Sequence, residues 1–269
     1  MKRYITTIIC LMAILTMLAQ SYFDQSLSSD FHAQVKSLDE FKARFNGEES
    51  KPGLEEADNP RLDNLLSLFD FDIEKGNHGT KEFQNKMNGF IAEVLENDNK
   101  FNIHDSGLFA VCTCRMLYEG KEKNINIILR SESIDSLRYR WTIVGVTGLD
   151  RTGIIKTDKL YSIDPTQHEI HFLGLHDFFN ANPKHAFGYR SNYSKIDNLS
   201  VFLTLVSTGA LKFDVVENQV YYYFDIPGYI FTIEEFNRNG NNIGWLISSL
   251  TKANDFEKTL EINKLLGNE

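Results

Sequence analysis

Cysteine is scarce in this chain, and its scarcity excludes one class of secreted protein. The sequence contains three cysteines; Cys10 lies in an N-terminal apolar run, so only Cys112 and Cys114 remain in the body of the chain. Two cysteines cannot form the framework of bridges on which small disulfide-rich domains depend. They stand two residues apart in an extended run, which predicts two buried thiols on one strand face that are not bonded to each other.

Positive charge is also in short supply. The chain has 28 Lys and Arg against 37 Asp and Glu, a formal net charge of −9. Phosphate binding needs a basic patch, so nucleic acid is not expected as a partner. The content of hydrophobic residues, 42%, is that of a folded globular protein rather than a disordered one.

Long apolar runs are missing except at the N-terminus. There the basic pair Lys2-Arg3 precedes an uncharged, mostly apolar run over residues 4–19, and Ala19-Gln20-Ser21 supplies the small residues of a cleavage site. This order is typical of a secretory signal peptide, and the run is shorter than the roughly 20 residues that a membrane-spanning helix needs. We therefore predict a signal peptide over 1–21, a mature chain that begins at Tyr22, and a periplasmic, secreted or cell-surface protein with no membrane attachment after cleavage.

The rest of the chain divides into a polar, flexible leader over 22–36 and one α+β domain over 37–269. Helix signals dominate its N-terminal part. Ser37 and Glu40 have capping-box spacing and Gly47 is a stop signal, while Asn59-Pro60 is suited to open a second helix. The third helix is predicted to begin after a capping Thr80 and to bury one face. That face carries Phe83, Met87, Phe90, Ile91, Val94 and Leu95.

Beyond residue 107 the hydrophobic period changes from 3.6 to 2, which predicts strands joined by short turns. A helix interrupts them over 199–208, and a last helix begins at Asn254, which has capping-box spacing with Glu257. Helices followed by sequential strands favour N-terminal helices packed on a mainly antiparallel, curved sheet. The predicted strands are 108–118, 124–130, 138–147, 154–162, 211–216, 219–226, 229–237 and 243–251. In the last of them, Trp245 and Ile247 are predicted to pack on the N-terminal helices.

Several stretches carry a resemblance to known proteins: YRWTIVGV, SIDPTQHEIHF, LSVFLTLVSTGALKF, IPGYIFTIEEFNR and GWLISSL. Together they resemble, in order over residues 37–251, a family of exported proteins of gut Bacteroidetes to which no activity or cofactor is attached. Helices leading into a curved sheet whose last strand carries Trp245 also resemble the NTF2-like or cystatin-like architecture. Such domains are about half as long, so the resemblance implies a large elaboration or a different fold.

A concentration of histidines is the strongest candidate for a metal site. His168, His171, His176 and the neighbouring Asp177 lie close together in the sequence, and zinc needs three or four converging ligands of these types. Their spacing matches no defined motif, and on a strand His168 and His171 would point to opposite faces. Surface histidines are therefore the default interpretation, and no cofactor is expected.

An aromatic stripe is the best candidate for a ligand-binding surface. Alternation places Tyr221 and Tyr223 on one sheet face and Tyr222 on the other, and Tyr229 begins the next strand. Aromatic sheet faces bind small molecules, glycans or proteins, but they also fill cores. Packing is the favoured interpretation, with Tyr221, Tyr223 and Tyr229 as the candidate binding residues.

Two classes of function remain open. The first is a non-enzymatic binding or interaction module that uses a face of its sheet. The alternative is a periplasmic hydrolase with a His/Asp site, with or without a metal, in 168–185. No complete catalytic motif is present in the sequence, which favours the first class.

Overall fold

The computed structural model describes residues 35–48, 59–70, 81–135, 138–149, 197–238 and 242–267. The α+β fold predicted from the sequence is confirmed, whereas the predicted signal peptide, residues 22–34 of the predicted leader and the predicted strand 154–162 lie outside these residues. Val35 and Lys36, the last two residues of the predicted leader, are described, and Val35 is buried. The helices are α1 (Leu38–Asn46), α2 (Pro60–Ser67), α3 (Lys81–Glu96), α4 (Asn198–Ser207) and α5 (Asp255–Leu265). The strands are β1 (Leu108–Tyr118), β2 (Lys121–Ser133), β3 (Tyr139–Thr147), β4 (Leu211–Tyr223), β5 (Tyr229–Phe236) and β6 (Gly244–Lys252).

The first two helices begin and end where local chemistry dictates. The Ser37 side chain accepts a hydrogen bond from the Glu40 N–H, and Gly47 ends α1 with a φ of 72°. The Asn59 side chain caps α2 by accepting from the Leu62 N–H. Both starts satisfy backbone donors that the first helical turn leaves without partners, as the sequence predicted.

The sheet consists of two antiparallel meanders joined at their first strands. Its strand order is β3-β2-β1-β4-β5-β6, and every neighbouring pair is antiparallel. The predicted break of β4 at Glu217-Asn218 is wrong. Asn218 pairs with Thr113 and Val216 with Cys114, so Glu217 is an extra residue at a register shift. A bulge absorbs one residue without ending the ladder, and pairing with β1 holds β4 together as one strand.

Helices α1, α2 and α3 cover one sheet face, here called the helix face, over β4, β5 and β6. Their interior is aromatic: Phe45 and Phe231 stack with centroids 5.9 Å apart, and Phe90 meets Phe231 edge-on at 5.6 Å. Such ring pairs add stability beyond the area they bury. The predicted inward face of α3 is confirmed, with four of its six residues buried and Phe83 and Leu95 packed at the margin.

Trp245 is less buried than the sequence predicted. Ile247 is 1% exposed in this core, but Trp245 is only half-buried and packs at the edge of the core. The predicted alternation also fails beyond Ile247, because a register shift in the β5–β6 pairing sets Ser249 opposite Thr232. Leu250, rather than Ser249, therefore shares the helix face with Ile247.

The fourth helix covers the other half of the helix face, where it contacts β3 and the start of β4 and shares a buried cluster with residues of β1 and β2. Val201 and Phe202 of α4 pack against residues that include Cys114. Cys114 is 1% exposed, Cys112 is half-buried, and both are free thiols. The prediction of two unbonded thiols is confirmed, and the predicted burial is confirmed for Cys114 alone. Burial raises the pKa of both thiols.

Two short segments cover the outer edge of β6. Val35 pairs with Gly244 and Phe69 with Ile247, both in parallel orientation. The Asp70 carboxylate, which is fully buried, pairs with the guanidinium of Arg238. These contacts occupy a sheet edge that would otherwise present unpaired backbone groups.

Candidate functional site

A cleft of about 620 Å³ lies between α5 and the sheet face opposite the helix face, here called the cleft face. Ligand sites in proteins are concave and combine an apolar surface with placed polar groups, and this lining combines eight apolar residues with nine polar or charged ones. Its apolar residues are Val111, Ile128, Tyr222, Phe224, Ile230, Ala253, Leu260 and Leu265. Its polar and charged residues are Asn126, Thr147, Thr232, Ser249, Thr251, Lys252, Glu257, Glu261 and Lys264.

The floor of the cleft is an apolar row that crosses four neighbouring strands. Tyr222 of β4 and Val111 of β1, both half-buried, form its open part. Ile230 of β5 and Ile128 of β2 continue it where α5 packs on the sheet, and they are 8% and 0% exposed. Val111 and Ile128 are direct cross-strand partners. Since adjacent strands lie about 4.8 Å apart, the row extends over roughly 14 Å.

Helix α5 forms the opposite wall and is held in place at both ends. At its start, Asn254 and Glu257 form the capping box expected from the sequence. The buried Lys258 ammonium donates to the carbonyl oxygens of Phe224 and Ile226, each at 2.6 Å. Burial lowers the pKa of this lysine, against the opposing effect of nearby carboxylates. Further along, Ile262, Leu265 and Leu266 pack on the sheet.

Neutral polar groups interrupt the floor in two places. On the side of β2, the Asn126 carbonyl oxygen accepts from the Thr113 hydroxyl at 2.9 Å, and its Nδ2 lies 3.5 Å from the Thr147 hydroxyl. On the side of β6, the Thr232 hydroxyl lies 2.6 Å from that of Ser248 and 2.7 Å from that of Ser249. The first group retains donor capacity, because an amide nitrogen carries two protons and 3.5 Å is long for a hydrogen bond.

Charged side chains stand only at the mouth, on α5 and the end of β6. Glu257 accepts from the Asn254 N–H at 2.8 Å, and Glu261 lies 3.6 Å from the Lys264 ammonium. With Lys252 they amount to two cations and two anions, and all four side chains belong to exposed residues. The lining therefore carries no net formal charge.

Tyr222 is the aromatic member of the floor, and its hydroxyl stays protonated. Burial raises the pKa of this phenol, and the carboxylates of Glu234 and Glu261 raise it further. A neutral phenol can donate or accept a hydrogen bond at the edge of an apolar surface.

The structure places the three predicted tyrosines on the helix face, away from the cleft. Tyr221 is half-buried between two tryptophans, with ring centroids 6.3 Å from Trp141 and 5.3 Å from Trp245. Of these, Trp141 is 43% exposed, so the trio forms a partly open aromatic surface.

Tyr223 and Tyr229 belong to the core. Tyr223 is 1% exposed, and its hydroxyl donates to the Asp105 carboxylate at 2.5 Å. Tyr229 is 7% exposed and meets Phe90 edge-on at 5.4 Å. This burial fits the packing interpretation of both residues, and the ligand-binding role of the three tyrosines stays a prediction.

The predicted metal ligands His168, His171, His176 and Asp177 lie outside the described residues. Within the described ranges, no three His, Cys, Asp or Glu side chains are grouped so that they could hold a metal ion. Across those same residues, no helix is long and apolar enough to cross a membrane.

The sequence predicts the strand face and the helix that form the cleft, but not that the two come together. Alternation predicts Tyr222 on the face opposite Tyr221, and Asn254 marks the start of α5. The sequence does not show which face of the sheet α5 covers. That choice depends on long-range packing, for which α5 offers few apolar residues as a guide.

Comparison with known proteins leaves the chain without relatives to argue from: no family model, no curated protein and no solved structure matches it. The resemblances to a Bacteroidetes family and to NTF2-like or cystatin-like domains therefore stay predictions.

Proposed function

We propose that this protein is an exported, non-enzymatic binding module that holds a small molecule in the cleft between the sheet and α5. The observation that carries the proposal is the composition of the lining: an apolar floor across four strands, neutral hydrogen-bonding groups beside it, and charges only at the mouth. Ligand pockets in general combine an apolar surface with polar groups that fix the orientation of the ligand.

The position of the charged residues supports binding rather than catalysis. General acid–base catalysis uses carboxyl or amine groups whose pKa burial or a charged neighbour has shifted towards neutral pH. Glu257, Glu261 and Lys264 belong to exposed residues at the mouth, and each is already engaged with the helix start or with its neighbour. Such groups favour solubility and entry of a ligand more than proton transfer.

A titration with the neutral, environment-sensitive dye Nile red tests the proposal. We compare two exposed helical leucines: Leu260, which lines the cleft and is 56% exposed, and Leu203 of α4, which is 48% exposed and lies outside the lining. Leu260→Ser should weaken dye binding about fivefold, since the lost contact is part of a leucine's transfer free energy. Leu203→Ser should leave it unchanged.

Equal effects of the two substitutions, or no dye binding by the parent protein, would overturn the proposal. Because both leucines are exposed, neither change should unfold the protein, and a urea melt of each variant checks this. Mass spectrometry of organic extracts from protein purified without heating can then identify a co-purified molecule.

A further inference from the structure

We propose that the ligand of the cleft is an uncharged, chain-like amphiphile whose apolar body lies along α5 and whose neutral polar end meets Asn126. This inference rests on the proposed function and specifies the chemistry of its ligand. Three features of the cleft support it: its shape, its charge and the place of its amide.

The shape of the cleft is that of a trough. On α5 the lining residues recur at Glu257, Leu260, Glu261, Lys264 and Leu265, which is the spacing of one helix face. From the first to the last of these the helix rises about 12 Å. The apolar row on the sheet is of similar length, roughly 14 Å. A trough of this length along α5 fits an extended chain.

The charge of the cleft argues against a charged ligand. Its two cations and two anions cancel, and the pairing of Glu261 with Lys264 occupies one of each sign. Lys252 stands exposed at the rim, where water and salt screen its charge. A charged group drawn onto the apolar floor would lose its hydration, and the charged residues of the lining are all exposed to water.

The amide of Asn126 gives the trough a polar end. Its oxygen is occupied by the Thr113 hydroxyl at 2.9 Å, while its nitrogen makes only the long 3.5 Å contact with Thr147. Asn126 is half-buried and lines the cleft beside Ile128. A hydroxyl or carbonyl oxygen of a ligand can accept the proton that this amide has left to donate.

The test is calorimetric titration of the full-length mature chain with 1-octanol, octanoate and octylammonium at neutral pH, and with 1-butanol as a shorter chain. We expect 1-octanol to bind about tenfold more tightly than either charged analogue, because neither can bury its charge. Each methylene between butanol and octanol should add roughly fourfold, the equivalent of about 0.8 kcal/mol.

Variants of two asparagines on β2, Asn126 and Asn124, test where the polar end of the ligand binds. Asn126→Ala should weaken 1-octanol binding about fivefold, as expected for a lost hydrogen bond. Asn124→Ala, at an exposed position of β2 outside the lining, should have no effect. Equal losses in the two variants would overturn the placement of the polar end.

The remaining outcomes separate the two proposals. Tighter binding of octanoate or octylammonium than of 1-octanol would overturn the uncharged ligand. If Nile red binds in the cleft but affinity does not rise from butanol to octanol, the chain-like ligand is wrong and the binding module stands. If Nile red does not bind either, both fail.

Discussion

Gly244 is the position at which one added methyl group should test the architecture most directly. It begins β6 with a φ of +94°, and a Cβ built on it would lie 2.0 Å from the carbonyl oxygen of Val35. No real Cβ sits so close to backbone. Gly244→Ala must therefore displace the Val35 segment from the edge of β6 as well as strain the backbone.

The expected magnitude follows from these two effects. An L-residue at positive φ costs about 1–2 kcal/mol. Displacing Val35 also removes two backbone hydrogen bonds. The Val35 N–H donates to the Ile243 carbonyl at 3.0 Å, and the Val35 carbonyl accepts from the Trp245 N–H at 2.9 Å. At about 0.5–1.5 kcal/mol each, they bring the total to roughly 2–5 kcal/mol.

Gly228 is the matched control. Its φ is +73°, and an added Cβ would meet nothing within 4 Å. Gly228→Ala should therefore cost only the backbone strain, about 1–2 kcal/mol. Urea denaturation followed by circular dichroism measures both variants, and with a slope of about 2–3 kcal/mol per molar urea the midpoints should differ by roughly 0.5–1 M. If Gly244→Ala is no less stable than Gly228→Ala, the pairing of Val35 with β6 is wrong.

Four further predictions concern the core, the ionised groups and the N-terminus. Trp245→Ala should lower the free energy of unfolding by about 2–3 kcal/mol, less than for a fully buried tryptophan, and a urea melt that overlays the parent would contradict its packing. Burial and a hydrogen bond from its hydroxyl raise the pKa of Tyr223 above that of an unfolded tyrosine. Its contribution to stability is therefore complete below about pH 10 and is lost as the pH rises beyond that value. Melts between pH 9 and 11 should show a steeper loss in the parent than in Tyr223→Phe, and parallel curves would refute this. Arg238→Met removes a cation from the buried Asp70 carboxylate and should cost roughly 3 kcal/mol in the same assay, so a neutral result would mean that the ion pair contributes little. N-terminal sequencing of protein from the cell envelope should begin at Tyr22, whereas an intact Met1 would indicate a retained anchor.

Local signals carried most of the fold. The helix starts at Ser37, Asn59 and Asn254 were predicted, because a capping side chain and the backbone N–H that it satisfies lie within one helical turn. The predicted capping box is complete at Asn254, whereas at Ser37 the Glu40 carboxylate accepts from the Lys36 N–H instead of the Ser37 N–H. The bounds of β1 were predicted as the structure has them. Its side chains alternate between the two faces of the sheet, and apolar residues pack against it on both. The break predicted in β4 was wrong for a physical reason: turn-forming residues at Glu217-Asn218 are a local preference, and pairing with a long neighbouring strand overrides it.

The sequence by itself determined the fold class, the starts of α1, α2 and α5 and the faces on which Tyr221, Tyr222 and Tyr223 lie, because all of these follow from the chemistry of neighbouring residues. Only the tertiary structure decided that α1 to α4 share one face of the sheet and that α5 lies across the other. That arrangement buried Tyr223 and Tyr229 and turned the row from Ile230 to Ile128 into the floor of a cleft. The reason is that the cleft needs both a sheet face and a helix that covers it. Which helix covers which face depends on contacts between residues that are distant in the chain.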